Sequence, residues 1–94
     1  VRIILDQLKG GTHFVIVTGG QRVGIVQVEE SADAISLSQI EVLPEFQGMG
    51  IGTAVTRSLI DRCSREGRLL TLHVFRTNTS ARRRYERLGF RVSG

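Results

Sequence analysis

The sequence predicts one α/β (α+β) domain over residues 1–94, with a mixed, mainly antiparallel sheet, helices on both faces and the order β-β-β-α-β-α-β. Three observations predict it. Strand-like apolar runs occupy much of residues 14–42, residues 51–66 have the spacing of an amphipathic helix, and a short apolar run separates that helix from a second one. A chain of 94 residues is large enough to fold as one domain with a modest core.

The strands of the first half are bounded by turn residues. Residues 14–18 and 22–28 are rich in β-branched side chains and are joined by a Gly-Gly-Gln hairpin signal. Residues 35–42 form the next predicted strand, which ends before Pro44 because proline has no N–H to donate. Residues 1–12 are ambiguous, since their apolar run fits either a strand or the end of a helix.

The second half alternates helix and strand. An apolar face that includes Leu59 and Cys63 marks the first helix, which stops before Gly67. The short apolar run over residues 69–75 predicts a strand that is buried on both faces. A second helix follows, and residues 90–93 begin one more predicted strand.

Positive charge is concentrated in the second half of the chain. Residues 1–56 carry three basic and six acidic side chains, whereas residues 57–94 carry ten basic and three acidic ones, and twelve of the thirteen basic residues are arginine. Arginine suits bidentate phosphate binding, so coenzyme phosphates and nucleic acid are candidate partners beside a simple solvated surface. Aromatic side chains that stack on bases do not accompany the arginines, and the sequence does not favour nucleic acid.

The composition favours a cytoplasmic protein without a metal site. No apolar run approaches the ~18 residues that span a bilayer, and no leader sequence is visible, so we expect no membrane contact. His13 and His73 lie far apart in the chain, and no close group of Cys, Asp or Glu accompanies either one. The one cysteine, Cys63, is expected in the core.

A glycine-rich segment lies where the third predicted strand gives way to the first helix. It reads Gln47-Gly48-Met49-Gly50-Ile51-Gly52-Thr53. Alternate glycines let the backbone adopt unusual φ/ψ angles and approach a ligand closely, and the first N–H groups of a helix attract anions. The segment lacks the lysine of a Walker loop, and its third glycine comes one residue too early for a dinucleotide fingerprint. It predicts a phosphate-binding loop of another type.

A second motif lies near the end of the chain. Residues 78–90 read N-T-S-A-R-R-R-Y-E-R-L-G-F, and each of the first three offers an oxygen that caps a helix. Ala81, Tyr85 and Leu88 share one helical face, and Gly89 sits where a left-handed residue ends a helix. The tyrosine therefore projects from a short helix toward whatever that face covers.

Both motifs resemble those of the GNAT superfamily of N-acetyltransferases. The first fits the acyl-coenzyme-A loop [QR]-x-x-G-x-[GA], and the second fits N-x-x-A-x-x-x-Y-x-x-x-G-F at every fixed position. The resemblance covers roughly residues 21–90 and implies transfer of an acetyl group from acetyl-CoA to a primary amine of a small molecule or protein. In that fold the strands flanking the first helix splay apart, and the cofactor pairs with the earlier strand. The residues implied for acetyl-CoA binding are Val42, Leu43, Gln47, Gly48, Met49, Gly50, Ile51, Gly52, Thr53 and Asn78.

The resemblance also implies catalytic groups. Tyr85 matches the proton donor to the departing thiolate, and the backbone N–H of Val42 matches the contact to the oxyanion. For the base, His73 lies on the predicted strand that leads to the second helix, and an imidazole suits proton transfer near neutral pH. Glu41, beside the cofactor strand, and a water relay are the alternatives.

The ends of the chain leave alternatives open. Family members usually carry an N-terminal strand with two helices, and a final strand beyond the G-F motif, so this chain resembles a member truncated at both ends. The alternative function is a non-catalytic acetyl-CoA-binding or interaction module with the same fold. Unpaired strand edges favour association, and we expect a two-fold homodimer.

Overall fold

The computed structural model describes residues 3–8, 11–75 and 77–91, which form a five-stranded sheet and two helices. The strands are β1 (Ile4–Gln7), β2 (His13–Thr18), β3 (Gln21–Glu30), β4 (Ala34–Val42) and β5 (Leu69–Leu72), and the helices are α1 (Ile51–Glu66) and α2 (Thr79–Arg87). The strands follow chain order across the sheet; the first four are antiparallel, and β4 and β5 are parallel. The predicted α+β class with a mainly antiparallel sheet is confirmed. Within these ranges, neither helix has the length and apolar character that crossing a membrane requires.

The elements differ from the prediction at both ends. The ambiguous residues near the start form a strand, β1, which pairs with β2. The strand predicted over residues 90–93 is absent at Phe90 and Arg91, and its other two residues lie outside the described part of the chain. The described order therefore begins with one more strand than predicted and ends with α2.

The fifth strand corrects a prediction. β5 ends at Leu72, and the expected burial on both faces was wrong, because Leu69 is 69% exposed and Thr71 is exposed as well. Leu70 and Leu72 pack against the core. Within the described chain β5 lies at the edge of the sheet, and alternate side chains of a strand point to opposite faces. A short apolar run does not by itself distinguish a central strand from an edge strand.

The core lies between one face of the sheet and α1. Alternate side chains of β2, β3 and β4 meet a stripe of α1 side chains spaced three or four residues apart. The expected core position of Cys63 is confirmed, and burial raises the pKa of its thiol. The buried core residues are Ile16, Val23, Val26, Val28, Ile35, Leu37, Ile51, Val55, Leu59 and Cys63.

The C-terminal end of α1 is closed by backbone hydrogen bonds. Gly67 has a φ angle of 67° and donates its N–H to the Cys63 carbonyl. The N–H of Arg68 donates to the same carbonyl at 2.9 Å. A glycine suits this position because a left-handed φ angle disfavours residues with a Cβ atom.

Charged side chains hold the same end of the helix against the β3–β4 turn. The Arg68 guanidinium contacts the carboxylates of Glu30 and Glu66, each at 2.9 Å, and donates to the Ala34 carbonyl at 3.3 Å. Arg62 contacts the same two carboxylates at 2.8 and 3.2 Å. We name Glu30, Arg62, Glu66 and Arg68 the ion-pair cluster. It ties together β3, α1 and the loop that precedes β5.

Candidate functional site

The connection between β4 and α1 begins with a short 3₁₀ turn over Pro44–Phe46. The Phe46 N–H donates to the Leu43 carbonyl at 2.9 Å. The side chain of Gln47 then donates through Nε2 to the Val42 carbonyl at 3.0 Å. The first residue of the predicted loop therefore ties the loop back to the end of β4, a contact that the sequence analysis did not predict.

Glycines open the N-terminal end of α1. Gly48 and Gly50 have φ angles of 77° and 80°, in the left-handed region, and Gly50 precedes the helix without any side-chain cap. The first intrahelical bond joins the Ala54 N–H to the Gly50 carbonyl at 3.0 Å, so the earlier N–H groups of the helix have no intrahelical partner. A Cβ atom on Gly48, Gly50 or Gly52 meets no protein atom within 4 Å. The space beside all three is open to a ligand.

β4 and β5 separate before they reach this loop. Their pairing stops at Leu37 and Leu72, whereas β4 continues to Val42. The Leu43 N–H donates to the Val23 carbonyl of β3 at 2.8 Å. Because backbone groups of successive strand residues point to alternate sides, those of Val42 point away from β3. The expected splay is present, and it leaves the Val42 backbone facing the gap.

A glycine of β3 sets how closely that strand approaches the end of β4. Gly24 pairs with Val42, and a Cβ atom on it would lie 2.2 Å from the Glu41 carbonyl oxygen. Any larger residue would therefore displace the backbone of Glu41. A lone glycine inside a strand pattern is the sequence signal for such a close approach.

The two ends of α2 have the cap and the left-handed glycine that its motif predicts. The side-chain oxygen of Asn78 accepts the Ala81 N–H at 3.1 Å and caps the helix. Gly89 has a φ angle of 101°, and the Phe90 N–H donates to the Tyr85 carbonyl at 3.1 Å. Asn78, proposed from the motif as a cofactor contact, thus uses its side-chain oxygen as a cap.

A cavity of about 470 Å³, hereafter the main cavity, lies between the end of β4, the start of α1 and α2. Tyr85 lines it, with its ring edge-to-face against Phe90 at 5.6 Å between ring centres. Among the described residues, the Tyr85 hydroxyl has no hydrogen-bond partner. The lining residues are Ile40, Val42, Phe46, Gln47, Gly48, Gly50, Ile51, Gly52, Thr53, Thr56, Arg84, Tyr85 and Leu88.

The electrostatics of the main cavity favour an anion. The unpaired N–H groups of α1 lie at the positive end of the helix dipole. Arg84 adds a guanidinium, and none of the described residues that line the cavity is acidic. Tyr85 of α2 and the residues Ile40 and Val42 of β4 line the same cavity. An anionic ligand with an extended polar tail fits this arrangement.

The two candidate bases occupy different places. Glu41 is exposed, accepts a hydrogen bond from the Gln39 side chain and lines an adjoining cavity of about 680 Å³. That cavity shares three lining residues with the main cavity. His73 lies just past the end of β5 and lines another cavity, of about 1020 Å³, which shares only Leu88 with the main cavity.

Two predicted cofactor contacts, Leu43 and Met49, lie outside the main cavity. Leu43 lines the adjoining cavity, and Met49 is 59% exposed and lines neither cavity. Buried Thr56, which the sequence analysis missed, donates through Oγ1 to the Gly52 carbonyl at 2.9 Å. Arg84 was also missed as a cavity residue. Its spacing three residues after Ala81 was an available signal, because helix positions three apart are neighbours.

The sequence matches one family over nearly its whole length. Residues 2–90 match the family model described as acetyltransferase (GNAT) family, in agreement with the resemblance of the two motifs. An uncharacterized N-acetyltransferase of Methanocaldococcus jannaschii is 34% identical over 85 residues, which cover 82% of this chain and 38% of that protein.

Solved structures share the fold. The ribosomal-protein-S18-alanine N-acetyltransferase of Escherichia coli is 30% identical with a TM-score of 0.78, and the match covers 87% of this chain and 54% of that one. A GNAT family acetyltransferase of Elizabethkingia anophelis, solved with acetyl-CoA bound, is 18% identical with a TM-score of 0.76, and the match covers 87% of this chain and 55% of that one. The chain thus spans about half the length of these two proteins.

Proposed function

Because the chain belongs to the acetyltransferase (GNAT) family, we propose that it binds acetyl-CoA in the main cavity and transfers the acetyl group to a primary amine. The main cavity carries this proposal. It combines the unpaired N–H groups of α1, the free edge of β4 and the Tyr85 hydroxyl, and no described lining residue is acidic. The acceptor is an amine of a small molecule or a protein, and the name of the E. coli relative suggests the protein alternative.

Each group has a role in the transfer. The N–H groups at the start of α1 bind the diphosphate, and the free edge of β4 pairs with the amide groups of the pantetheine arm. As the amine nitrogen bonds to the acetyl carbon, the Val42 N–H donates to the carbonyl oxygen, where negative charge develops. When the carbon–sulfur bond breaks, Tyr85 protonates the departing sulfur. Gln47 holds the end of β4 in place for these contacts.

Glu41 takes the base role in this proposal. Glu41 is adjacent to Val42 in the chain and lines the cavity that adjoins the main cavity. The Gln39 side chain orients its carboxylate through a hydrogen bond. A base held by a third group is the usual arrangement for proton transfer. His73 remains the rival that the sequence analysis favoured, and its place on another cavity argues against it.

The expected homodimer and cytoplasmic location belong to the proposal as well. At β5 the described sheet has a free edge, and exposed Leu69 adds apolar surface beside it. Two copies that pair these edges about a two-fold axis would continue the sheet. Sedimentation velocity over a concentration series measures the oligomeric state, and a monomer at every concentration contradicts the expected homodimer.

Titration with acetyl-CoA, followed by an assay of thiol release with small amines and peptides, tests the function. We expect acetyl-CoA to bind and to raise the melting temperature, because a ligand of the native state stabilises it. Thiol release with at least one amine supports the transferase. Binding without release from any amine favours the alternative, a non-catalytic acetyl-CoA module, and absence of binding overturns both.

A further inference from the structure

The arginines of the second half of the chain differ in their partners. Arg62 and Arg68 belong to the ion-pair cluster and are neutralised by Glu30 and Glu66. Arg84 is exposed, and within the described residues no carboxylate pairs with it. Its positive charge is therefore available to a ligand, and it lies on the main cavity.

The position of Arg84 is held by an aromatic ring. The guanidinium carbon lies 5.4 Å from the centre of the Tyr85 ring, within the range of a cation–π contact. A cation–π contact is an electrostatic attraction to the ring, and it does not require the N–H donors of the guanidinium to bond to another residue. Those donors suit two oxygens of one phosphate, and the ring contact reduces the conformational freedom lost when they bind.

The same cavity contains a second source of positive potential. Gly48, Gly50, Gly52 and Thr53 line it together with Arg84, so Arg84 and the start of α1 border one open cavity. An anion that accepts hydrogen bonds from the α1 N–H groups is thus within the volume that Arg84 lines. A diphosphate has oxygens enough for both partners.

We propose that Arg84 binds a phosphate of the coenzyme diphosphate, opposite the N–H groups of α1. This inference rests on the proposed function, and it adds a side-chain contact to a site otherwise made of backbone groups. It also gives one of the free arginines of α2 a specific role in place of a general surface charge.

Calorimetric titrations with coenzyme A and with 3′-dephospho-coenzyme A test the inference. The second ligand keeps the diphosphate and lacks the ribose phosphate. We expect Arg84→Gln to weaken both ligands by the same factor, about 10- to 100-fold, the usual worth of a charge-assisted hydrogen bond. Arg84→Lys should recover part of the lost affinity, because lysine restores the positive charge but lacks the planar pair of N–H donors of a guanidinium.

Arg83→Gln is the matched control, because Arg83 is the preceding residue of α2, is exposed and does not line the main cavity. We expect its affinities to equal those of the wild type, and melting curves establish that each variant is folded. Equal affinities for Arg84→Gln and Arg83→Gln overturn the inference, and so does a loss confined to coenzyme A, which would place Arg84 at the ribose phosphate. Failure of the wild type to bind either ligand refutes the proposed function itself.

Discussion

The two ends of α1 use similar residues and differ in whether their polar groups have partners. At the C-terminal end, Gly67 is left-handed and its N–H is bonded, and the nearby arginines are paired in the ion-pair cluster, where Nε of Arg68 is the one buried side-chain polar atom of the described residues without a hydrogen-bond partner. At the N-terminal end, Gly50 is left-handed and no side chain caps the helix, while Arg84 has no described carboxylate partner. Polar groups of native proteins are normally satisfied, and we therefore propose that a ligand binds at the N-terminal end, where the helix N–H groups and Arg84 are open.

The two ends of α1 should respond differently to substitution. A substitution at the C-terminal end removes contacts that the folded chain already makes, so it should lower stability and leave ligand binding intact. Removal of the Tyr85 hydroxyl or the Arg84 guanidinium deletes a group that has no hydrogen-bond or carboxylate partner among the described residues, so it should lower binding or turnover and leave stability nearly unchanged.

Tyr85→Phe should have the largest effect. The phenylalanine keeps the edge-to-face contact with Phe90 and loses only the hydroxyl, which has no described partner. We expect turnover to fall by about 10²–10⁴, the usual worth of a general acid, with little change in acetyl-CoA affinity. Steady-state kinetics with the amine found in the thiol-release assay provides the measurement. An unchanged kcat would show that solvent or another group protonates the sulfur.

Substitution of Glu41, the proposed base, should have the next largest effect on turnover. Glu41→Gln retains the size of the side chain and removes its basic oxygen, and we expect turnover to fall by about 10². His73→Gln is the matched variant on the other cavity, and its turnover should stay close to that of the wild type. The reverse result, a large loss for His73→Gln alone, would restore His73 as the base and place it near the acceptor.

Much of the site was predictable from the sequence, because its parts are local in the chain. The glycines, Tyr85 and the helix cap at Asn78 are encoded within short motifs, and their backbone angles and hydrogen bonds follow from neighbouring residues. The ion-pair cluster was not predictable, because Glu30 and Arg68 meet only after the sheet forms. The exposure of β5 and the place of His73 depend likewise on strand order, which a short apolar run does not specify.

A pH-dependent effect on stability is expected at the C-terminal end of α1. Hydrogen bonds from Arg68, and next from Arg62, lower the pKa of Glu66 below its ordinary 4.5. A lowered folded-state pKa contributes stability that is complete above the unfolded-state pKa and is lost as the pH falls through the folded-state value. Glu66→Gln should therefore lower the urea midpoint slightly at pH 7, and this difference should vanish at a pH below the folded-state pKa.

Asp61→Asn is the control for this titration. Asp61 is exposed on the same helix and forms no ion pair within the described residues. Its variant should show a smaller midpoint change than Glu66→Gln at pH 7, and both variants should bind acetyl-CoA with wild-type affinity. A Glu66→Gln difference that persists unchanged to pH 2 would contradict the assignment of that stability to the ionised carboxylate.

The central claim, that one end of α1 is a ligand site and the other a structural junction, is tested most directly by a pair of glycine substitutions. Gly50 and Gly67 have φ angles of 80° and 67°, and a Cβ atom on either meets no protein atom within 4 Å. Gly50→Ala and Gly67→Ala should therefore lower the free energy of unfolding by similar amounts, about 1–2 kcal/mol.

Calorimetric titration of both folded variants with acetyl-CoA then provides the decisive measurement. We predict that Gly67→Ala binds like the wild type, whereas Gly50→Ala loses about tenfold or more in affinity, because its methyl group enters the space beside the α1 N–H groups. Equal, wild-type affinity in the two variants would contradict the account.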